Sequence, residues 1–286
     1  MQTSAPERLE FADLDPYLLL KNGNYLYKVP FRDGFAVLKV YYGSRSWPET
    51  WVKSIGNVVF EGQTSYMPRT RLKMELECLR LWQKHGFRVF EPYPDVEVVA
   101  PKCPPGGYLL LEYVEAPKLE EVLADESRPL EDRLALYRRW LAEWCRRHDL
   151  AESEREPRLV HENGDAGHVM ILEDESFLWF DFEMVFRSRS RVREYVGHEI
   201  VQYVWQLLRK TPLDMHERLL EETARHYPNR ERIRFAPDVF LSHPRLTVRA
   251  ARAVDMRRKR GRKPSSKYAL ARRLKAAVEV ADGASS

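Results

Sequence analysis

The sequence predicts an α+β protein in two lobes. Its first hundred residues carry short aromatic and β-branched runs with a single helical segment among them. From about residue 130 onward the helical period dominates, and only a few short strands interrupt it. A chain of 286 residues is long enough for two such lobes, and strands segregated from helices are typical of the α+β class.

The first region, up to about Gly107, is predicted to begin as a sheet. Residues 25–29 and 35–41 are aromatic and β-branched runs on either side of Asp33-Gly34, a pattern that predicts an antiparallel hairpin. Residues 69–85 repeat leucine and tryptophan at helical spacing and end at a glycine, which is typical of a helix and its C-terminal cap. Two further strands are predicted, at 96–100 and 108–113.

The second region is predicted to be mainly helical, and the third to be a basic extension. Helices are expected at 130–148, 195–209 and 213–226, and short strands at 159–160, 169–172 and 177–180. The last two strands are joined by a polar hairpin turn. The predicted domains are 1–110, 111–243 and a tail at 244–286, in which 268–280 has the pattern of a short amphipathic helix.

Composition excludes several classes of protein. With 44% hydrophobic and 31% charged residues the chain is neither disordered nor fibrous. No apolar run approaches the ~20 residues of a membrane span, and no secretory signal is visible at the start. The three cysteines, Cys78, Cys103 and Cys145, are odd in number and far apart, so we expect reduced thiols in a cytoplasmic protein.

The net charge of +4 conceals a strong asymmetry. From Arg245 onward there are 13 lysine and arginine residues against three acidic ones, so the rest of the chain is mildly acidic. Residues 257–263 alone contain six basic side chains. Such a tail favours an anionic partner, which is a membrane surface, a nucleic acid or the acidic face of the rest of the chain. Because Tyr268 is its one aromatic residue, base stacking has little to use, and nucleic acid is the weaker alternative.

Four segments carry residues with chemical potential. Lys39 lies inside an apolar strand, and Glu75 lies on the amphipathic helix. Residues 161–171 form a polar, glycine-containing stretch between two strands, as a binding loop would. Asp181 ends an otherwise apolar strand, where a carboxylate is costly to bury unless it is paired or bound to a metal.

In this order the segments resemble the signature of the protein-kinase-like phosphotransferases. Val37-Leu38-Lys39-Val40 is similar to the family's ATP-lysine strand, and Glu75 stands on the helix that supplies the lysine's partner. The segment from Leu109 to Val114 is similar to the hinge between the lobes, and Asp181-Phe182-Glu183 stands where the family has Asp-Phe-Gly. The resemblance implies a two-lobed fold, with a small antiparallel-sheet N-lobe and a mainly helical C-lobe.

The spacing within the catalytic-loop segment indicates which residues take the family's positions. Counting from Asn163, His168 stands at +5 and Asp181 at +18, which fits the family's frame and places His161 on its loop histidine. Counting from Asp165 instead puts Asp181 at +16, a poorer fit. The chain therefore has Asn163 where the family has its catalytic aspartate, and His168 where the family has an asparagine. With a histidine at this position, the loop resembles that of the lipopolysaccharide-core Kdo and heptose kinases.

The resemblance implies a set of roles. Lys39, held by Glu75, would contact the phosphates of ATP, and the backbone of Glu112 and Val114 would meet the adenine. Asp181 and His168 would hold Mg²⁺ or Mn²⁺. Asn163 or Asp165, in the loop that begins at His161, would orient the acceptor hydroxyl. The acceptor expected from this family is a sugar in a surface glycolipid, with the protein cytoplasmic and peripheral at the inner face of the membrane.

Three alternatives stay open at this point. The asparagine at the catalytic position is compatible with a pseudokinase that binds a nucleotide or a partner without turnover. A small-molecule kinase of the aminoglycoside type would need an acidic acceptor pocket, which the basic run 187–193 disfavours. The aromatic and basic insertion at 47–71 is either an acceptor-binding segment or a solvated structural one, and its candidate anion contacts are Arg45, Lys53, Arg69 and Arg71.

Overall fold

The computed structural model describes residues 7–42, 46–243, 246–257, 261 and 263–284. The strands are β1 (Glu7–Glu10), β2 (Leu18–Lys21), β3 (Tyr25–Phe31), β4 (Gly34–Val40), β5 (Arg88–Val89), β6 (Val96–Val99), β7 (Tyr108–Glu112), β8 (Val169–Ile171) and β9 (Phe177–Trp179). The α-helices are α1 (Trp47–Gly56), α2 (Pro68–Lys84), α3 (Leu119–Ala124), α4 (Leu130–Glu154), α5 (Val192–Lys210), α6 (Met215–His226), α7 (Arg230–Leu241), α8 (Leu246–Arg257) and α9 (Lys267–Gly283).

The chain divides into two compact units that differ from the predicted domains in two respects. The first unit comprises Met1–Ala116 and Leu178–Arg187, and the second comprises Pro117–Phe177 and Ser188–Ser286. The segment that contains Asp181 therefore belongs with the N-terminal sheet, although the sequence placed it in the C-lobe. The predicted tail is part of the second unit.

The first unit is built on a four-stranded antiparallel sheet in the order β2-β3-β4-β7. The predicted hairpin is present: β3 and β4 pair from Tyr25↔Val40 to Phe31↔Gly34, and Arg32 takes a left-handed φ of 51° in the turn. One face of the sheet is apolar and closes a core that includes Tyr27, Val29 and Leu38. Because β4 lies between β3 and β7, a side chain near its end, such as Lys39, is held by paired backbone on both sides.

Helix α2 confirms the predicted helix and places its apolar face inward. Cys78, Leu79 and Trp82 are buried, and Gly86 follows with a left-handed φ of 73°, as a helix-ending glycine does. Trp82 packs on Phe182 with ring centroids 4.5 Å apart. This contact ties the helix to the returning segment 178–187. The three cysteines are buried and free, as expected of thiols.

The second unit is mainly helical, and aromatic rings fill its core. Trp140 and Trp144 stack on successive turns of α4 at 4.6 Å, and Trp144 meets Tyr203 of α5 edge-on. The Tyr137 hydroxyl bonds the Thr223 hydroxyl at 2.8 Å, which joins α4 to α6. The predicted α+β class, with an antiparallel sheet in the first half and helices in the second, is confirmed.

Several expectations for local structure are corrected. Residues 159–160 do not form a strand, because the chain turns there in a short 3-10 helix, Pro157–Leu159. The predicted tail is helical where it is described: α9 buries Tyr268, Leu274 and neighbouring side chains, and Tyr268 packs on Phe240 of α7. Arg45 and the basic residues 258–260 and 262 lie outside the described residues. Within the described chain, no helix combines the length and apolarity that a membrane crossing requires.

Candidate functional site

A buried lysine–glutamate pair lies at the centre of the first unit. The ammonium of Lys39 contacts both carboxylate oxygens of Glu75, at 3.0 and 2.7 Å. Both side chains are buried, and the Tyr41 hydroxyl donates a further hydrogen bond to Glu75. The approach expected of Lys39 and Glu75 is therefore present.

A second carboxylate, which the sequence did not assign, shares the same lysine. Glu183 lies 2.7 Å from the Lys39 ammonium and 2.8 Å from Arg71. Asn24 donates a hydrogen bond to the same carboxylate. The family's Asp-Phe-Gly has no side chain at this position, so the glutamate adds a negative charge beside the lysine.

Arg71 connects this cluster to the turn that precedes β3. It stands four residues before Glu75 on α2, so the two side chains share one helix face. Its guanidinium donates to the carbonyl oxygens of Gly23 and Tyr41 at 3.0 to 3.2 Å. Arg71 was a candidate contact for an anionic acceptor, but its side chain is buried and its Nη atoms donate inside the unit, which favours the structural alternative for this residue. Lys53, another candidate, lies over the Tyr66 ring.

The charges of the cluster stabilise one another against burial. Burial would lower the pKa of Lys39, but Glu183 and Glu75 outweigh it, and the pKa is raised above its ordinary value. Burial would likewise raise the pKa of Glu183, but Lys39 and Arg71 hold it below the usual range. Lys39 is therefore charged, and its ammonium is available to a polyanion that competes with Glu183.

Asp181 lies at the edge of this cluster. Its carboxylate is 4.0 Å from the Lys39 ammonium and more exposed than its neighbours, with 36% of the side chain accessible. Its φ of 73° is left-handed, a conformation that a non-glycine residue adopts only when its surroundings enforce it. An accessible carboxylate beside a charged lysine suits a divalent cation bound to phosphates.

The hinge residues contribute backbone groups. Glu112 pairs with Ala36 at the end of β7, and its N–H donates to the carbonyl of Glu91 at 2.9 Å. Its carboxylate accepts from Arg88 at 2.7 Å. Of its backbone groups, only the carbonyl could therefore meet a base. Val114 follows β7 and is half-buried.

In the second unit, a buried glutamate on α5 anchors the predicted catalytic loop. Glu199 accepts the backbone N–H of His161 at 2.9 Å and the indole N–H of Trp144 at 3.0 Å, and it pairs with Arg147. Burial would raise the pKa of Glu199, but Arg147 and His148 lower it to about 2. The loop is thus fixed at its start by a permanent negative charge.

His161 is a structural member of this network. It is buried, and its Nδ1 shares a hydrogen bond of 2.5 Å with the Tyr203 hydroxyl. Burial holds its pKa well below the ordinary value, so the imidazole is neutral. Gly164 lies against the same tyrosine, and a Cβ at that position would come within 2.4 Å of the ring. Asn163 is left exposed at the apex of the turn.

Asp165 is engaged within the loop and not directed outward. Its carboxylate accepts the N–H of Gly167 at 2.9 Å and pairs with Lys210 at 3.0 Å. Lys210 also contacts Glu120 at 2.6 Å. Burial would raise the pKa of Asp165, but the Gly167 N–H and Lys210 outweigh it and the pKa is lowered. A lowered pKa makes this carboxylate a weaker base.

The metal-site prediction stays a prediction. His168 ends the short helix 166–168, and its ring meets that of His161 at 6.5 Å. Asp181 and His168 belong to different units. Among the described residues, no group of three or more His, Cys, Asp or Glu is arranged to hold a metal ion.

The basic run after Asp181 is largely paired with acids. In the second unit, Arg189 contacts Glu156 at 3.3 Å and Arg191 contacts Glu194 at 2.9 Å. Arg193 forms an ion pair with a glutamate of α7. The run therefore offers an anionic acceptor less free charge than its sequence indicates.

The comparisons with known proteins found likenesses only among solved structures. No family model matches the chain, and the search of curated proteins found no match. The chain is similar to the Rio2 kinase from Chaetomium thermophilum in its ADP/Mg²⁺-phosphoaspartate complex, at 14% identity and a TM-score of 0.42, over 93% of this chain and 70% of that one. Another structure of that Rio2 kinase matches at 14% identity and a TM-score of 0.41, over 93% of this chain and 71% of that one. WaaP in complex with acyl carrier protein matches at 13% identity and a TM-score of 0.38, over 85% of this chain and 93% of that one. These likenesses are distant.

Proposed function

We propose that this chain is an ATP-dependent phosphotransferase that phosphorylates a sugar hydroxyl in a surface glycolipid such as the lipopolysaccharide core. The observation that carries the proposal is the buried, charged Lys39 held by Glu75, with Asp181 at the accessible edge of the same cluster. A lysine fixed in this way, beside a carboxylate that can hold a cation, is the arrangement that phosphoryl transfer needs for charge neutralisation.

The chain's own residues divide the work of binding and orientation. Lys39 neutralises phosphate charge after the nucleotide displaces Glu183 from its ammonium. The carbonyl of Glu112 and the backbone of Val114 meet the base. Asp181, with His168, would hold Mg²⁺ or Mn²⁺, which lowers the charge of the transferred group; oxygen donors suit Mg²⁺, and an imidazole tolerates Mn²⁺ better.

The role of orienting the acceptor hydroxyl is assigned to Asn163. An amide cannot accept a proton, but it orients a hydroxyl, and a loose transition state depends more on positioning than on a strong base. Asn163 is exposed at the apex of an anchored turn, whereas the carboxylate of Asp165 is already paired with Lys210. The sugar and glycolipid specificity, and a peripheral location at the cytoplasmic face of a membrane, follow from the resemblance of the loop.

A nucleotide-binding protein without turnover is the second candidate. The engagement of Asp165 by Lys210 favours it, because the carboxylate considered as the base is then held in an ion pair and is less able to take the hydroxyl proton. The two candidates share the Lys39 cluster and differ only in whether phosphate is transferred.

The test measures binding and transfer separately. ATP affinity is determined by calorimetry with Mg²⁺, and transfer is followed from γ-labelled ATP to deacylated lipopolysaccharide core, with kanamycin as a small-molecule acceptor. We expect Lys39→Met to weaken ATP binding at least ~10-fold and Asp181→Asn to lower transfer on the order of 10²–10³-fold. Glu77→Gln is the matched control, because Glu77 lies on α2 as Glu75 does but is partly exposed and outside the Lys39 cluster.

The outcomes distinguish the candidates. ATP binding that depends on Lys39, with no transfer to either acceptor, would support the non-catalytic binder. Transfer to kanamycin alone would replace the glycolipid by a small molecule. Wild-type protein that binds no nucleotide would overturn both. Because Lys39→Met leaves the buried Glu75 without its cation, Lys39→Arg and a thermal unfolding curve separate loss of binding from loss of fold.

A further inference from the structure

Helix α1 presents its apolar side outward. At 100° per residue, Trp47, Trp51 and Ile55 fall on one side of the helix, and Pro48 and Val52 lie within the same arc of about 140°. The Trp47 and Val52 residues are 61% and 72% exposed, and Trp51 and Ile55 are also exposed. A helix on the surface of a soluble protein normally turns its apolar stripe toward the core, so this orientation is inverted.

The inner side of α1 is polar and small. Thr50 and Ser54 are the buried residues of the helix. The Thr50 hydroxyl donates to the Ser46 carbonyl at 3.0 Å, and Ser54 meets Ser65 at 3.2 Å. The Thr50 bond closes the first turn of the helix itself, and the Ser54–Ser65 contact joins the helix to the segment that follows it. Its large apolar side chains are not needed for the core of the unit.

The helix is also well formed at its start. Ser46 and Glu49 make a capping box, in which the glutamate accepts the Ser46 N–H at 3.1 Å, and Pro48 occupies the first turn. The apolar arc is therefore held as a rigid surface. Val59, in the turn that follows, is 65% exposed and extends the apolar surface beyond the helix.

We propose that this surface, the α1 face of Trp47, Trp51, Val52, Ile55 and Val59, inserts into the interfacial layer of a lipid bilayer. Tryptophan and branched aliphatic side chains on one side of a short helix, with polar residues on the other, are the composition of helices that lie in the plane of a membrane interface. The arc contains no charged side chain that would fix the register of a protein partner.

The size of the α1 face favours a membrane over a second copy of the chain. Five half-exposed side chains of this size present on the order of 500–600 Å², at the upper end of the largest apolar patch of a typical monomer. A stable protein interface needs about 800 Å² from each partner. A bilayer has no such threshold, because partitioning increases with each buried side chain. The proposal does not depend on phosphotransfer.

The experiment uses the full-length chain and sucrose-loaded phosphatidylcholine vesicles in 0.5 M NaCl. At that salt, electrostatic attraction of the basic C-terminal residues is screened, whereas apolar partitioning is not. We expect wild type to sediment with the vesicles. Trp47→Ser with Trp51→Ser, and separately Val52→Ser with Ile55→Ser, should lower the partition coefficient at least ~10-fold. Leu213→Ser with Val280→Ser, at exposed apolar positions outside this helix, should change it less than twofold.

Tryptophan fluorescence reports insertion directly. Trp82, Trp140, Trp144 and Trp179 are fully buried, so quenching by brominated lipids that disappears in Trp47→Ser with Trp51→Ser would come from the α1 face. Wild type that does not bind these vesicles, or α1-face variants that bind equally, would overturn the proposal. A wild-type dimer that these variants convert to a monomer, without vesicle binding, would assign the face to a second copy. Since the substituted side chains are exposed, unchanged thermal unfolding is expected and excludes misfolding.

Discussion

Glu183 occupies the same distance from the Lys39 ammonium as Glu75 does, 2.7 Å. The lysine is therefore held between a helix carboxylate and a carboxylate of the returning segment. If the chain binds a nucleotide as proposed, the phosphate oxygens would compete with Glu183 for this lysine.

Neutralising Glu183 should strengthen metal-free nucleotide binding. Glu183→Gln retains a hydrogen-bonding group toward Arg71 and Asn24 but removes the competing charge. Because a charge-assisted hydrogen bond contributes about 1.5–3 kcal/mol, we expect ATP affinity in EDTA to rise on the order of 10-fold. Calorimetry measures it, with Glu77→Gln as the control. Weaker binding in EDTA would show that Glu183 positions the lysine for phosphate and does not compete with it.

The predictability of this cluster from sequence was uneven. Lys39 and Glu75 could be paired in advance only through the resemblance to the kinase-like signature, because a lysine on a strand and a glutamate on an amphipathic helix are each ordinarily solvated. The contribution of Glu183 could not, since it depends on how the segment 178–187 returns to the first unit. Glu199 and Lys210 were also missed because their contacts depend on the tertiary fold. No local sequence pattern shows that a helix about 40 residues later anchors the loop that begins at His161.

Four of the described helices, α1, α3, α7 and α8, were missed, and for α1 and α7 the physical reasons differ. The apolar residues of α1 face outward, so its pattern does not identify a core face, and its first turn contains a proline. Helix α7 contains Pro237 and four arginine and glutamate residues in its first five positions, which weaken the apolar period. Helix α7 is fixed by its buried side chains more than by local propensity, whereas α1 owes its start to a capping box.

Restoring a carboxylate at the apex of the loop should raise turnover. Asn163 is exposed, so Asn163→Asp is compatible with the fold, and it supplies the base that the loop lacks. General-base assistance contributes about 10²–10⁴-fold, so we expect a measurable rise in transfer from γ-labelled ATP with ATP affinity nearly unchanged. Asp165→Asn is the companion variant. A fall of 10²-fold or more in that variant alone would instead identify Asp165 as the base, in spite of its ion pair with Lys210.

Acid should destabilise the second unit before its carboxylates titrate. Burial lowers the pKa of His148 to about 4 and that of His198 to about 3, against 6.5 for an ordinary histidine. The unfolded chain therefore binds protons that the folded chain refuses, and stability that is complete above pH 6.5 is lost as the pH falls toward 4. For His148 alone the loss is on the order of 3 kcal/mol.

Thermal unfolding between pH 7.5 and 4.5 measures this effect. We expect the midpoint to fall across that range, and His198→Phe to make the fall shallower because one of the buried histidines, which also include His161, no longer titrates. His226 is half-exposed, so His226→Gln should leave the pH profile unchanged. A midpoint that is constant down to pH 4.5 would contradict the prediction.

The basic C-terminal region should bind anionic membranes through charge alone. Deleting residues 245–286 is not a clean test, because α9 buries Tyr268 and Leu274 and its removal would expose the helices on which it packs. Replacing the six basic residues of 257–263 by glutamine removes their charge and leaves the sequence of α9 unchanged. At ~1 kcal/mol for each basic residue near an anionic surface, we expect binding to phosphatidylserine vesicles in 50 mM NaCl to fall at least ~10²-fold. Glutamine at Arg272 and Lys275, on α9 itself, is the control and should change binding far less. If the substituted protein keeps its vesicle binding, the region has no role at the membrane; if wild type prefers RNA to these vesicles, the partner of the region is a nucleic acid.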